Sequence, residues 1–456
     1  MRLLAAVGCM ALLASIPRAA TAAEGEAPPA QGEGRPRPIE AFLGTGFLGD
    51  PGLGGAAVTA GVRTAPTRHV ALSFDLGYSV LGGVGFSLMP EAVVQYCGAD
   101  FAVAGEGEEP LVRLLAALRA GGDLEQVPGL LWWDESGLRR NPAADAPLER
   151  LPVRTRSFID NRRYFREGGQ AGFETHRGCP MACTYCADPV AKGRRSRLLP
   201  PRMVVEELRA LVAQGIDHVH CCDCEMNLPL AHAREVCRAI IDAGLAGRIC
   251  WYAYCTVAPF DRETARLFRD AGCAGIDFGA DSGCAEMLRT LGRNYGPDAL
   301  LEAARSCRGA GIPFMYDLLV GGPGETRDTV RESLDFVRRA GPDCIGLSLG
   351  VRVYDGTALA AQVRESGPMA SNPALSGARL DNEHFLKPVF YLSPLLGRDP
   401  AGLIRDLVGG DQNVFLPGGP DDERDYNYND NERLVRALAR GERGAYWDIL
   451  RRTRGD

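Results

Sequence analysis

No cysteine follows Cys344 in a chain of 456 residues that carries 15 of them. A C-terminal domain holding additional thiolate-ligated clusters is therefore not expected. A basic excess is also missing. The formal net charge is −7, which excludes a general nucleic-acid binder, whose surface must neutralise phosphates. No second C-x2-C pair accompanies the cysteine-rich stretch near residue 180, so the usual four-ligand zinc framework is not spelled out. The uncharged run at residues 3–16 is too short for a comfortable membrane span. The cysteines are odd in number and scattered through apolar segments such as those of Cys237, Cys273 and Cys344. They read as reduced thiols in a cytosolic enzyme, not as a disulfide framework. Hydrophobic residues make up 46% and charged residues 24%, values of a soluble globular chain with a large core. The length suggests about three domains.

What is present centres on Cys179-Pro180-Met181-Ala182-Cys183-Thr184-Tyr185-Cys186. A short loop with C-x3-C-x2-C spacing can wrap three thiolates around one metal cluster. Three thiolates on a four-iron cubane leave the fourth iron open to chemistry. The alternatives are a zinc site or three buried thiols. The spacing, with an aromatic before the last cysteine, resembles the signature of the radical S-adenosylmethionine (SAM) superfamily. The resemblance implies that Cys179, Cys183 and Cys186 ligate a [4Fe-4S] cluster and that its open iron binds SAM. It also implies that Tyr185 packs near the adenine.

In chain order, residues 1–23 match a secretory leader. A SAM-dependent, oxygen-labile cluster enzyme belongs in the cytoplasm, so a misassigned or disrupted start is the favoured reading. Residues 1–39 form this leader-like and linker segment. Residues 40–150 have an α/β pattern, with buried strands expected at 69–76 and 101–104 and helices at 90–96 and 108–119. A strand running into a glycine turn is expected at 80–85, and a hairpin at 130–141. The stretches around Gly82 and Gly83, and around Gly105, Glu106 and Gly107, resemble the last part of a cobalamin-binding domain. There the glycines let backbone approach the corrin. No Asp-x-His-x-x-Gly motif accompanies them, so a histidine lower ligand is not expected. The alternative is that these glycines are only sheet turns. Residues 151–171, with Arg154, Arg156, Arg162, Arg163 and Arg166, read as a linker with a solvated basic surface.

From 172 to 365 helices and strands alternate, which predicts a partial (β/α)6 TIM-like barrel with chemistry at the C-terminal strand ends. The last strand is expected over 344–353. After the second strand, Asp223 and Glu225 alternate onto one face, either toward SAM or substrate or as caps of the next helix. The resemblance implies a SAM-pocket role for both. Cys221, Cys222 and Cys224 read as buried thiols in preference to a second metal site. Asp281 and Ser282 resemble the segment contacting the SAM ribose, or else cap a helix. Gly321 and Gly322 lie in Gly-Gly-Pro-Gly-Glu-Thr, resembling the turn that approaches SAM. Arg352 either anchors an anion or makes a surface ion pair. Residues 366–456 form a small C-terminal region, in which 384–392 either cover the barrel's open side or pack plainly.

The fold class is thus α/β: a partial Rossmann-like cobalamin domain, a partial barrel and a C-terminal region. The resemblance implies a cobalamin-dependent enzyme that methylates an unactivated carbon through a 5′-deoxyadenosyl radical and methylcobalamin. A non-methylating cyclisation, oxidation or rearrangement, or a non-catalytic chain with a degenerate N-terminus, are the alternatives. Expected partners are a small-molecule or peptide substrate and a one-electron reductant such as flavodoxin or ferredoxin.

Overall fold

The computed structural model describes residues 78–154, 156, 159–416, 424–425, 428 and 431–454, and the backbone of two further strands, Glu40–Phe47 and Ala56–Arg63. The leader-like segment and the strand expected at 69–76 lie outside the described residues. The chain divides into a unit ending at Ala146 and another beginning at Pro147.

In the first unit, strand Tyr78–Gly82 leads through helices Val84–Leu88 and Pro90–Cys97 to strand Phe101–Val103, which pairs with it in parallel. This is the one parallel step in a six-stranded sheet. The hairpin Leu130–Asp134 and Gly137–Arg140 turns through Glu135-Ser136. So short a turn permits only antiparallel pairing. Val80, Phe101, Val103, Leu114, Leu130 and Trp132 form the core under helix Glu108–Ala120. Among the described residues the Rossmann-like character is therefore confined to one βαβ step.

The second unit carries seven parallel strands, adjacent in chain order: Ala171–Phe173, His218–Cys221, Cys250–Cys255, Cys273–Asp281, Phe314–Val320, Cys344–Leu349 and Val414–Phe415. Helices Pro201–Ala213, Leu230–Asp242, Arg262–Asp270, Asp298–Ala310 and Arg327–Ala340 make the crossovers between the first six. Their ends are marked by side-chain caps at Asp261 and Thr326 and by left-handed glycines at Gly311 and Gly341, as helix termini demand.

The two faces of the sheet differ in chemistry. Trp251, Phe278, Phe314 and Tyr316 point outward and interlock edge-to-face with one another and with Phe260 and Phe268. Tyr316 also donates to the carbonyl of Leu300 on an outer helix. Alternation then turns Tyr252, Tyr254, Asp277, Met315 and Asp317 inward. The lower interior is plugged by the C-terminal helices, through Leu434, Trp447, Ile449 and Leu450 against Tyr252, Met315, Cys344 and Phe415. Each such side chain contributes about 1.5–3 kcal/mol of burial.

Two expectations are corrected here. The sixth strand stops at Leu349, where Gly350 takes φ +88. Val351–Arg352 then leaves the barrel to pair with Val389–Tyr391 in a three-stranded sheet. The basic linker is also only partly solvated. Arg154 lies 2.9 Å from both Glu174 and Glu207, and Arg156 2.8 Å from Glu207, which is 2% exposed. Only one face of the run is surface, where Arg163 pairs with Glu167.

Candidate active site

The cysteine loop leaves the first strand and is held from three sides. Gly178, at φ +90, lies so close to the carbonyl of Arg195 that a Cβ would collide with it. Cys179 N donates to Gly193 O at 3.0 Å, and Cys186 N to Cys183 O at 3.3 Å. Thr184 N donates to Leu291 O at 3.0 Å, and Thr184 O accepts from Leu359 N at 2.8 Å. Gly292 touches the loop so tightly that a Cβ would sit 2.5 Å from Ala182 O.

All three cysteines are free. Burial pushes the Cys183 thiol up to about 12 and the Cys186 thiol up to about 11, and raises Cys179 too. These three side chains would be held as thiolates by a cationic cluster bound at the loop. Among the described residues no three His, Cys, Asp or Glu side chains converge on a single metal ion. Three thiols on one pinned loop suit three corners of a cubane, with the fourth iron left open. Cys221 is fully buried, and Cys222 Sγ lies 3.6 Å from His220 O. Cys224 lies 3.5 Å from Lys192 Nζ.

Above the inner face a polar cluster forms around Arg293. Its Nε donates to Asp281 Oδ2 at 2.6 Å, and its Nη2 to Tyr185 OH at 3.0 Å. Tyr185 OH donates to the same Asp281 oxygen at 2.7 Å. Glu225 Oε1 stands 3.8 Å from Arg293 Nη1. Burial pushes the Glu225 carboxyl up to about 8 against the pull of Arg293. Asp281 is reached through a bulge, since the register of the fourth strand slips between Gly279 and Asp281. Asp281 takes φ +60, a conformation costing a non-glycine residue about 1–2 kcal/mol. The bulge re-aims its side chain, and the two hydrogen bonds hold it there. Gly279 keeps room for the guanidinium, as a Cβ would lie 3.2 Å from Arg293 Nη2.

Of the residues singled out in the sequence, Tyr185, Glu225 and Asp281 therefore meet. Asp223 does not join them. Its carboxylate accepts from Thr175 N at 2.8 Å and His176 N at 3.2 Å and lies 3.1 Å from His176 Nδ1. These partners hold it ionised below the usual carboxylate range despite burial. Simple alternation fails because the chain turns after Cys221, where the strand ends. Ser282 also turns away: its hydroxyl lies 2.6 Å from Ser333 Oγ and accepts from Cys284 N at 3.1 Å. Gly321 takes φ +106, and a Cβ would sit 2.6 Å from Leu392 Cδ1. The N–H groups of Gly321 and Gly322 both donate to Glu325 Oε2, at 2.5 and 3.1 Å. The turn is thus closed by its own glutamate, whose carboxyl burial pushes up to about 7. Phe385 and Val389 pack with Val351, Leu359 and part of Tyr185, so the 384–392 segment backs the site.

In the first unit, Gly83 (φ +105) and Gly105 (φ +90) end the two parallel strands, joined through Ser87: its hydroxyl donates to Gly83 O at 2.8 Å and accepts from Gly105 N at 2.9 Å. A Cβ on Gly83 or Gly107 would meet open space. Carboxyl ends of parallel strands with bare glycine turns suit a cofactor's approach. Gly82 is paired within the sheet. Glu106, between Gly105 and Gly107, accepts from Ala146 N through its Oε2 at 2.6 Å.

Arg293, Tyr295, Asp277, Asp317 and Tyr254 were missed. Arg293 follows a short helix with no motif around it, and the acids sit singly inside apolar strands. A cleft of about 710 Å³ lies at the opposite, N-terminal end of the strands, lined by Asp217, His218, Tyr252 and Asp448. Barrel chemistry belongs at the other end, where the cysteine loop lies.

A parallel barrel whose first strand ends in this three-cysteine loop is a radical SAM core, and residues 173–337 match the radical SAM superfamily. The chain belongs to the cobalamin-dependent radical SAM methyltransferases. It is 32% identical to the tryptophan 2-C-methyltransferase of Streptomyces laurentii, over 81% of this chain and 79% of that one. It is similar to TsrM of Kitasatospora setae, solved with tryptophan and a SAM analogue, at 31% identity and TM-score 0.74, covering 82% and 79%. The TsrM structure with cobalamin and a [4Fe-4S] cluster gives 30% identity and TM-score 0.72, covering 82% and 80%. The chain is an enzyme that uses a [4Fe-4S] cluster, SAM and cobalamin. Among the described residues no helix is long and apolar enough to cross a membrane.

Proposed function

We propose that this enzyme methylates a carbon of tryptophan or a closely related indole amino acid. The observation that carries this reading is the open, polar middle of the barrel. Tyr254, on a central strand and facing inward, is 47% exposed. Space of that kind, floored by the apolar plug of Trp447 and Tyr252 and walled by acids, suits an aromatic ring with a charged end. The activity in the name of the Streptomyces relative points the same way.

Cys179, Cys183 and Cys186 are assigned to the cluster. Tyr185, Glu225, Asp281 and Arg293 are assigned to the SAM side, and Gly83, Gly105 and Gly107 to the corrin. Bound together, these groups supply an activated methyl group and one-electron chemistry. The protein's own part is positioning. Arg293 fixes the Asp281 carboxylate and the Tyr185 hydroxyl so that both are set before ligand arrives, which lowers the ordering cost of binding. Glu225, close to neutrality in its proton affinity, can hold or release a proton beside the loop. Arg352 is assigned to the substrate carboxylate. Its guanidinium lies 5.2 Å from the Tyr354 ring centre and 5.6 Å from that of Phe390, and its buried Nε has no hydrogen-bond partner among the described residues. A one-electron donor of the flavodoxin or ferredoxin type, and a cytoplasmic setting that supplies it and SAM, complete the proposal.

The test is a substrate panel under anaerobic reconstitution: tryptophan, other aromatic amino acids and short peptides, with the product read by mass spectrometry. Methylated tryptophan is expected. Turnover of the peptides alone contradicts the reading.

A further inference from the structure

Asp277 is 5% exposed, in the middle of the fourth barrel strand. Its neighbour Phe278 packs outward on Phe260, Phe314 and Tyr316, so Asp277 faces the interior. Asp317 faces inward from the fifth strand, because Tyr316 beside it reaches an outer helix. The two carboxyls stand on neighbouring strands, two positions apart in register, and the charge of Asp317 acts on Asp277. Two neighbouring acids, one buried and one half-buried, share a proton instead of ionising together. Burial, reinforced by Asp317 and by the more distant Glu225, accordingly holds Asp277 protonated well above the usual carboxylate range. Tyr254 from the third strand and Tyr428 from the C-terminal segment complete the surroundings, and both phenols are raised by burial and by these acids. His220 stacks at 5.0 Å on Tyr254.

One atom in this group is left over. Asp277 Oδ1 is buried with no hydrogen-bond partner among the described residues. A buried acceptor without a donor is costly, and native structures rarely carry one without a use. Among the described residues, the groups that act on Asp277 are the acids Asp317 and Glu225, the phenols Tyr254 and Tyr428 stand beside them, and burial lowers the proton affinity of His220. The space beside Tyr254 is accessible, and it is in that space that the proposed function seats the substrate.

We infer that Asp277 and Asp317 form the receptor for the substrate's primary ammonium group, which supplies the donor that Asp277 Oδ1 lacks. This deepens the indole amino acid reading and rests on it. An arriving cation takes over from the shared proton, so binding at neutral pH releases a proton to solvent. The pair thereby selects amines against isosteric neutral or anionic ends, since an apolar or uncharged group would leave the acceptor unpaired.

The experiment compares tryptophan with indole-3-propionate, which keeps the ring and carboxylate and lacks the amine. Affinities are measured by anaerobic calorimetry on the full, reconstituted chain. Wild type is expected to prefer tryptophan by at least about tenfold, the size of one charge-assisted hydrogen bond. Asp277→Asn and Asp317→Asn should bring the ratio near one, with iron content unchanged. In wild type, tryptophan binding measured in two buffers of different ionisation heat should release about one proton, and indole-3-propionate none. This readout holds even if a variant fails to fold. An unchanged preference in folded variants, or no proton release in wild type, overturns the inference. A wild type that binds and methylates no indole overturns the substrate reading as well. One that methylates tryptophan without any amine preference overturns only the ammonium receptor.

Discussion

Arg293 Nε donates to Asp281 Oδ2 at 2.6 Å, and both residues are more than nine-tenths buried. Removing one member of a buried pair strands the other charge, at about 3–5 kcal/mol. Arg293→Ala should therefore lose about that much stability in denaturant unfolding. SAM binding should fall at least about tenfold, because Asp281 and Tyr185 lose their common anchor. Arg293→Lys, with a single donor head in place of the fork, should recover part of the stability and little of the affinity. Wild-type SAM affinity in Arg293→Ala would contradict the assignment.

Cluster ligation separates the loop cysteines from the other thiols. Anaerobic reconstitution should give about four irons per chain. Cys183→Ala should lose them, while Cys237→Ala, in the buried face of an outer helix, should keep them. Iron retained in Cys183→Ala removes the ligand assignment.

Gly292 offers a test at a distance from any ligand. A Cβ there must displace the carbonyl of Ala182, which is backbone and cannot swing away, and Gly292 also takes φ +77. Gly292→Ala should fold, with a loss of about 1–3 kcal/mol, and should hold cluster iron poorly. Full iron occupancy in that variant would show that the loop's seat is not fixed from this side.

Glu325 gives a pH signature. Its folded carboxyl is raised from 4.5 to about 7 by burial. Between those values the folded chain binds more protons than the unfolded one. Stability contributed by the protonated acid is thus complete below about 4.5 and falls as pH rises toward about 7. The slope is at most ~1.4 kcal/mol per pH unit. Glu325→Gln keeps a carbonyl oxygen to accept from Gly321 and Gly322 and should flatten that slope. Denaturant unfolding between pH 5 and about 8 measures it, and an unchanged slope contradicts the claim.

These residues also mark how far the sequence could be read. The cysteine spacing and the strand–helix alternation are local patterns, so the barrel, its loop and the glycine turns were legible. Tyr185 was legible from the cysteine spacing, and Glu225 and Asp281 because each stands at a strand end, where function concentrates. Asp223 and Ser282 stand at strand ends too, and their hydrogen bonds to Thr175, His176 and Ser333 depend on neighbours 47 to 51 residues away. Arg293 carries no local signal at all, and neither does the inward pairing of Asp277 with Asp317. The short seventh strand, Val414–Phe415, exists only because the sixth presents it an edge. Its two residues have no periodicity to detect.

The central claim is methyl transfer to carbon by a cobalamin-loaded radical SAM barrel. The most direct test supplies the reconstituted enzyme with tryptophan, reductant and SAM carrying a trideuteriomethyl group, with and without cobalamin. The account predicts tryptophan bearing the intact labelled methyl group on a ring carbon, formed only when cobalamin is present. Labelled product formed equally without cobalamin, or no labelled product from an enzyme that holds its iron, cobalamin and SAM, would contradict it.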